Sequence, residues 1–519
     1  MPLPARTGAP PSALAGAAPP PASGRETQRS RAVGGSPETR IVIGLTVVAA
    51  LLRLLLIDHQ SYWLDESQAA HELSLSFGSM LGAWNSAEWN PPLYLIVAWP
   101  WAQVFGTGEA GLRSLSALLG TALIPLLYLA GRELVSRRAG VVAAALATVN
   151  PFMIWYAQEA REYVLLVLLC TASLLYFARA YKRPSPGALA WWAVISALAL
   201  LTQYFAGFLV AAEGIVLVYR ARSRASVMAL ALQALVLAPL IPHVLPRFNA
   251  PTTFITSQSL SVRLQQVPVT FALNTLYYKG SIVSLGLLGA AVVAAAVIAL
   301  LVAGADPAEL RGAGIAAGLA GFVLLVPLGL ALIGHDDFIA RGLMPAWPPL
   351  AIVLGAACTA RHARLPGAIL AAVLLTGFVV AGVVIDTTPA YQRTNWRAVA
   401  AALGGGSGAR AIAAYPDQFA TGPLSLYLRR VPWSGPGEPA GTGSGPVTIR
   451  ELDVIANAGL PSSRLPSGMH RLSARTVDGY EIDRFRLSPP WPTDAAAVQA
   501  RAQQLFGPPA PQVIIQHAA

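Results

Sequence analysis

The chain has 519 residues, of which 55% are hydrophobic and only 12% charged, with a formal net charge of +11. Soluble domains carry roughly 25% charged residues, so an ordinary soluble enzyme is excluded. The arginines stand in short clusters between apolar runs rather than along one helix face, which argues for membrane topology and against a nucleic-acid partner.

Residues 1–40 are rich in Pro, Ala, Gly, Ser and Arg and have almost no large apolar side chains. Such a segment buries too little to offset the entropy of ordering its backbone, so a disordered tail is predicted. The first apolar run, 41–57, follows Arg25, Arg29, Arg31 and Arg40 and is read as a retained spanning helix, which places the tail in the cytoplasm. Arg53 inside it is read as snorkelling outward.

Residues 58–110 form the first external loop: Asp58, Asp65, Glu66, Glu72, Glu88 and Glu109 occur there with no Lys or Arg. Within it, Pro91 to Phe105 is apolar but short and carries Pro100. If this stretch spanned, Arg132, Arg137 and Arg138 would face outward, against the positive-inside rule, so it is read as lying in the interface. Trp84, Trp89, Trp99 and Trp101 fit an interfacial aromatic belt, with sugar stacking as the alternative.

Spanning runs follow near 112–131, 139–155, 163–180, 188–203, 205–219, 226–245, 282–303, 312–334, 343–360 and 365–385. Each is close to the ~20 residues that cross ~30 Å of hydrocarbon. With the first run this predicts an α-helical polytopic membrane domain, 41–385, of about eleven spans. Alternate connections carry Arg132/Arg137/Arg138, Arg179/Lys182/Arg183, Arg220/Arg222/Arg224, Arg311 and Arg361/Arg364, all on the side of the N-terminal tail. From about Thr387 the composition turns polar and Gly/Pro-rich, with β-like runs at Ala411–Ala414, Val447–Ile449 and Tyr480–Arg486. A small extracytoplasmic α/β domain, 386–519, is predicted, with a flexible loop from Ser434 to Gly445.

Three charged clusters fall at the outer ends of the spans: Asp65-Glu66 in YWLDESQ; Gln158, Glu159, Arg161, Glu162 and Tyr163 in NPFMIWYAQEAREY; and His335, Asp336, Asp337 and Arg341. Each alone reads equally as a solvated cap. Together on one face they point to a site, in which the acids supply a general base or a metal ligand and Arg161 and Arg341 grip phosphate through guanidinium forks. A phosphate at the membrane boundary suggests a lipid carrier. A divalent metal at Asp65, Glu66 and Glu159 is left open, and no nucleotide motif is evident, since Gly404 to Gly408 lacks a strand-GxGxxG-helix setting. His59 and His71 have no HExxH setting for zinc. Cys170 and Cys358 both lie in apolar runs and offer no disulfide framework.

LDES after the first helix, NPPLY some way on, then LRSLSALLGTALIPLLYLAGREL, NPFMIWYAQEAREYVLLVLL and RGLMPAWPPLAIVLG resemble the dolichyl-phosphate-mannose-protein mannosyltransferase superfamily, which has the type C membrane glycosyltransferase fold. The resemblance implies Asp65 as catalytic base with Glu66 as its partner, a juxtamembrane helix at 91–105, a polyprenyl-phosphate-linked sugar donor and mannose as the sugar. From the second and third charged clusters, Glu159, Arg161, Tyr163, His335, Asp337 and Arg341 are assigned to substrate binding. The lumenal insert domains of the protein mannosyltransferases are not found here, so a glycan, lipid or protein acceptor stays open. The main alternative is a transporter or flippase of a lipid-linked glycan, which would need ionisable groups along the spans; Glu213 is the clearest of these.

Overall fold

A computed structural model describes residues 36–87, 90–221, 224–248, 253–274, 281–405, 408–415, 420–434, 447–456, 468–493, 495–506 and 512–517. Most of the N-terminal tail, Glu88, Trp89 and nearly all of the Ser434–Gly445 loop lie outside them.

Helices occupy every predicted apolar run. They are Pro37–Leu54, Glu109–Leu134, Arg137–Val149 with Pro151–Ala157, Tyr163–Lys182, Pro186–Leu200, Ala206–Ala221, Arg224–Leu237 leading into Ile241–Phe248, Ser281–Gly304, Pro307–Leu332, Met344–Cys358 and Arg364–Thr387. Among the described residues, six helices are long and apolar enough to cross a membrane alone, and the bent pair makes up to seven. Pro37–Leu54 falls short because it carries Glu38, Arg40 and Arg53, and Pro186–Leu200, Ala206–Ala221 and Met344–Cys358 because they are shorter. Met344–Cys358 is enclosed by other helices rather than by lipid, so protein contacts replace hydropathy in fixing it. The first helix begins at Pro37, where Ser36 Oγ accepts the Thr39 amide, which removes residues 37–40 from the predicted disordered tail.

Connections collect at two ends of the bundle. Glu38 lies within electrostatic reach of Arg137 and Arg138, and Arg361 Nη1 meets Asp306 Oδ2 at 2.9 Å. At the other end the Leu93 amide donates to Leu201 O at 3.1 Å and Ser61 Oγ to Thr394 O at 2.9 Å. The chain turns between Leu200 and Ala206, so two helices, not one tilted span, fill 186–221.

The run predicted at 139–155 is broken by 62°. Pro151 cannot donate to the preceding turn, and Asn150 starts a new helix by accepting the Met153 amide through Oδ1 at 3.0 Å. The break leaves carbonyls at the end of the first segment without helical partners. Arg53 supplies them: Nη2 donates to Ala147 O at 2.9 Å and Nη1 to Thr148 O at 3.2 Å. Arg53 is fully buried, which corrects the outward snorkelling predicted for it: the negative end of a helix dipole is the nearer electrostatic partner. An unpredicted helix, Leu260–Leu273, packs beside the break, its Phe271 O accepting from Asn150 Nδ2 at 3.0 Å. Arg263, Gln265, Gln266 and Pro268 interrupt its apolar pattern and hid it.

The segment predicted to be the first external loop is itself helical, with Leu64–Ser74, Phe77–Ala87 and the short apolar Leu93–Phe105. Its indoles act as internal ties: Trp84 Nε1 donates to Asn90 O at 2.8 Å, Trp99 Nε1 to Leu75 O and Trp101 Nε1 to Gly111 O, both at 3.0 Å. Trp84 also stacks on His243 and Trp101 on Phe105, so one face of each of those rings is already covered.

After the helices comes a sheet of five strands, β1 (Arg410–Tyr415), β2 (Val447–Ala456), β3 (Met469–Val477), β4 (Tyr480–Thr493) and β5 (Gln512–Gln516), in the order β3-β4-β2-β1-β5. The three predicted β-like runs lie in β1, β2 and β4. β1 and β2 are parallel and the other pairs antiparallel. Period-two alternation sends Ile412 and Ala414 to one face with Trp396, Val399 and Leu424, and Ala411 and Ala413 to the other with Val498 and Ala502. Helices therefore cover both faces. At one end of β1 the buried Arg410 is bonded to Asp453 at 2.6 Å, Gln516 at 2.8 Å and Leu403 O at 2.8 Å.

Removing one side of a buried ion pair strands the other, at a cost of about 3–5 kcal/mol. Arg410→Met is therefore expected to lower the unfolding temperature of the full-length protein in detergent, followed by far-ultraviolet circular dichroism at 218 nm, by several degrees. An unchanged transition would show that Asp453 needs no more than Arg484, 2.9 Å away.

Candidate active site

Trp63 adopts an extended conformation and starts the Leu64–Ser74 helix, whose first turn carries Asp65 and Glu66. Acids are favoured there because the helix N-terminus is its positive end. Neighbouring helical residues point about 100° apart, so the two carboxylates meet different surroundings.

Glu66 turns inward and is 0% exposed. Arg113 grips both its oxygens, Nε to Oε1 and Nη2 to Oε2, each at 2.7 Å. The Ala160 amide donates to Oε1 at 2.9 Å and Arg393 Nη1 to Oε2 at 2.9 Å. Burial pulls the Glu66 pKa upward, but Arg113 and Arg393 outweigh it and hold the carboxyl below its usual range.

Asp65 turns outward with its side chain 24% exposed, and Oδ2 lies 3.5 Å from Arg341 Nη1. Its backbone carbonyl accepts from Arg161 Nη1 at 3.4 Å. Arg341 and Arg393 both lie against the Trp63 ring, at 5.7 and 5.8 Å from its centre. Arg393 also stacks on Trp155 at 4.6 Å.

Glu159 sits in the turn before Tyr163 and is buried, with Oε2 bonded to Arg393 Nη2. Its Oε1 and the Trp63 Nε1 are buried without a hydrogen-bond partner among the described residues. Burial raises the Glu159 pKa from 4.5 to about 8 against the pull of Arg393, with Glu66 and Asp65 pushing the same way as burial. Arg161 pairs with Glu162 at 3.0 Å, and Glu162 accepts from Asn90 Nδ2 at 2.8 Å. Tyr163 is buried, edge-on to Tyr156 at 4.9 Å.

The structure thus gathers Asp65, Glu66, Glu159, Arg161 and Arg341 from three separate connections. His335 and Asp337 are exposed on the loop before Arg341, and the member of that cluster turned inward is Asp336, whose Oδ1 accepts from Arg263 Nη1 at 2.7 Å. Sequence reasoning did not single out Arg113 or Arg393. The first lies inside the quoted LRSL stretch; the second follows the last spanning helix and carries no local signal.

Among the described residues no group of three or more His, Cys, Asp or Glu side chains is placed to hold a metal ion. Of the donors proposed for a divalent ion, Glu66 is fully engaged by Arg113, Arg393 and the Ala160 amide, and Glu159 gives one oxygen to Arg393, while Asp65 and Glu159 Oε1 take no part in those bonds. Glu213, the group a transport path would use, is buried within the bundle and accepts from Trp192 Nε1 at 2.7 Å and from Ser173 Oγ.

A helical bundle with an acid-and-arginine site in its first long loop is thus followed by a small sheet domain. Residues 90–245 match the sequence profile of the dolichyl-phosphate-mannose-protein mannosyltransferase family. The chain is similar to ArnT from Cupriavidus metallidurans bound to undecaprenyl phosphate, with a TM-score of 0.52, 16% identity and 86% of this chain covering 97% of that one. The apo state of the same protein gives a TM-score of 0.52 and 16% identity over 87% and 98% of the two chains. At these identities the likeness is one of fold. No curated protein sequence matches the chain significantly.

Below about pH 4.5 Glu159 is protonated in both folded and unfolded chains; from there to about pH 8 only the unfolded chain releases the proton. Stability should fall as pH rises across that window and then level. Measured by intrinsic fluorescence in detergent, Glu159→Gln should lose this slope, so its unfolding temperature should gain on the wild type between these two values. Parallel curves would contradict the burial argument.

Proposed function

We propose that the chain moves a sugar, mannose by family resemblance, from a polyprenyl-phosphate donor to a hydroxyl acceptor at the extracytoplasmic face of the cell membrane. The observation that carries this reading is the division of labour between neighbours: Glu66 has every oxygen engaged, while Asp65 keeps a partly exposed carboxylate beside Arg341. A base must reach the acceptor, and a structural acid need not.

In the reaction the acceptor oxygen forms a bond to the anomeric carbon as the carbon–oxygen bond to phosphate breaks from the opposite side, inverting the centre. The acceptor proton goes to Asp65. The electron pair leaves with the polyprenyl phosphate, whose growing negative charge Arg341 and Arg161 stabilise. The exposure of Arg341, 22%, suits it to the phosphate better than Arg161, which is buried against Glu162. The undecaprenyl phosphate bound by the fold's relative supports a lipid-linked donor. Positive-inside logic places the basic connections and the N-terminus in the cytoplasm, and the acid cluster and the C-terminal domain outside.

Positioned acid–base groups contribute about 10²- to 10⁴-fold. Asp65→Asn should therefore lower turnover by at least about 100-fold in a membrane assay with polyprenyl-phosphate sugars, with little change in expression or unfolding temperature. Near-normal transfer by this variant would remove Asp65 from the role of base.

A further inference from the structure

Arg393 belongs neither to the first external loop nor to the Gln158–Tyr163 turn, yet it touches both. It arrives on the segment that leaves the last long helix, Arg364–Thr387, just before the Trp396–Leu403 helix of the sheet domain. Its backbone amide donates to Gln60 Oε1 at 3.1 Å. Its side chain, 10% exposed, forks between Glu66 and Glu159 and is held by the Trp63 and Trp155 rings.

The same face of the sheet domain meets the same loop at further points. Ser61 Oγ accepts the Trp396 amide at 2.9 Å, the Tyr62 amide donates to Tyr427 Oη at 2.7 Å, and Tyr427 Oη donates to Glu109 at 2.6 Å. Arg397 reaches Asp58 O and, at 2.8 Å, His59 O, and His71 stacks on Trp433 with ring centres 4.4 Å apart. Every one of these anchors lies within a few residues of Asp65 or on its helix, apart from Glu109 at the foot of the next long helix.

We propose that Arg393 is a positioning residue, through which docking of the C-terminal domain clamps Glu66 and Glu159 together and so fixes the backbone that aims Asp65. A buried carboxyl group that loses its guanidinium donor, whether ionised like Glu66 or with its pKa raised like Glu159, lacks compensation for its lost hydration. Arg113 already balances Glu66, so the weight of the bridge falls on Glu159, for which Arg393 is the cation in contact. A guanidinium can fork to two carboxylates; an ammonium is a point charge without that planar fork. The clamp acts on the Asp65 backbone, so it governs turnover more than donor affinity.

This inference rests on Asp65 being the base, and the experiment separates the two claims. Arg393→Gln, Arg393→Lys, Glu159→Gln and the Arg393→Gln/Glu159→Gln double variant of the full chain are assayed with a polyprenyl-phosphate sugar. Hydrogen exchange of peptides spanning 58–66 and 155–162 is followed in parallel, and needs no substrate. Arg393→Gln should lower kcat on the order of 100-fold, as misplacement by about 1 Å can, with donor KM within about threefold and faster exchange in both peptides. Arg393→Lys should recover part of the rate, and Glu159→Gln should cost less in the Arg393→Gln background than alone, because the two share one interaction. A rise in donor KM with kcat preserved would make Arg393 a phosphate ligand and overturn the proposal, as would strictly additive losses or unchanged exchange. Faster exchange in an Arg393→Gln chain whose wild type transfers no sugar would uphold the clamp and reject the transferase reading.

Discussion

The whole arrangement depends on keeping Glu66 ionised where water does not reach it. An isolated carboxylate in such a place would take up a proton; this one stays charged because Arg113 holds both oxygens at 2.7 Å and Arg393 and the Ala160 amide add to them. That knot draws the Leu64–Ser74 helix, the foot of Glu109–Leu134 and the Gln158–Tyr163 turn into one place. Asp65, next along the helix, is left at the rim because its neighbour is fixed inside. Position, not composition, separates the two acids.

A second constraint works at a distance. The break at Asn150-Pro151 diverts the Pro151–Ala157 helix so that the turn carrying Glu159 and Arg161 reaches the acid pair. Exposed carbonyls at such a break inside a bundle are costly, and Arg53 offsets them. The adjoining Gln158 Nε2 satisfies the end of the first helix through Leu55 O at 2.9 Å. Backbone groups released by one kink are thus answered by side chains from the next element, and the site inherits its placement from that exchange.

Much of this was legible in the sequence. Apolar runs of membrane length and arginines recurring on alternate connections fix the helix order, because hydrocarbon length and the sidedness of charge are properties of local sequence. The Asp65-Glu66 pair and the Gln158–Tyr163 cluster stood out for a related reason: charge at the end of a span is conspicuous. Arg393 was not legible. It lies 327 positions from Glu66 and 234 from Glu159, in a polar region where Arg397 and Arg429 look equivalent, and only the docked domain distinguishes it. Arg53 was visible but misread, since its partners are carbonyls exposed by a kink whose geometry the Pro151 ring sets. The helix at Leu260–Leu273 was hidden by polar residues that break its apolar pattern, of which only Arg263 is buried.

The central claim is that a bond to a lipid phosphate is broken here, and it is tested most directly with the purified full-length protein in liposomes containing a polyprenyl-phosphate sugar labelled in both sugar and lipid. The account predicts that labelled glycoside and free polyprenyl phosphate appear in equal amounts, with the opposite anomeric configuration in the product. Movement of the doubly labelled lipid between leaflets with both labels still joined would contradict it.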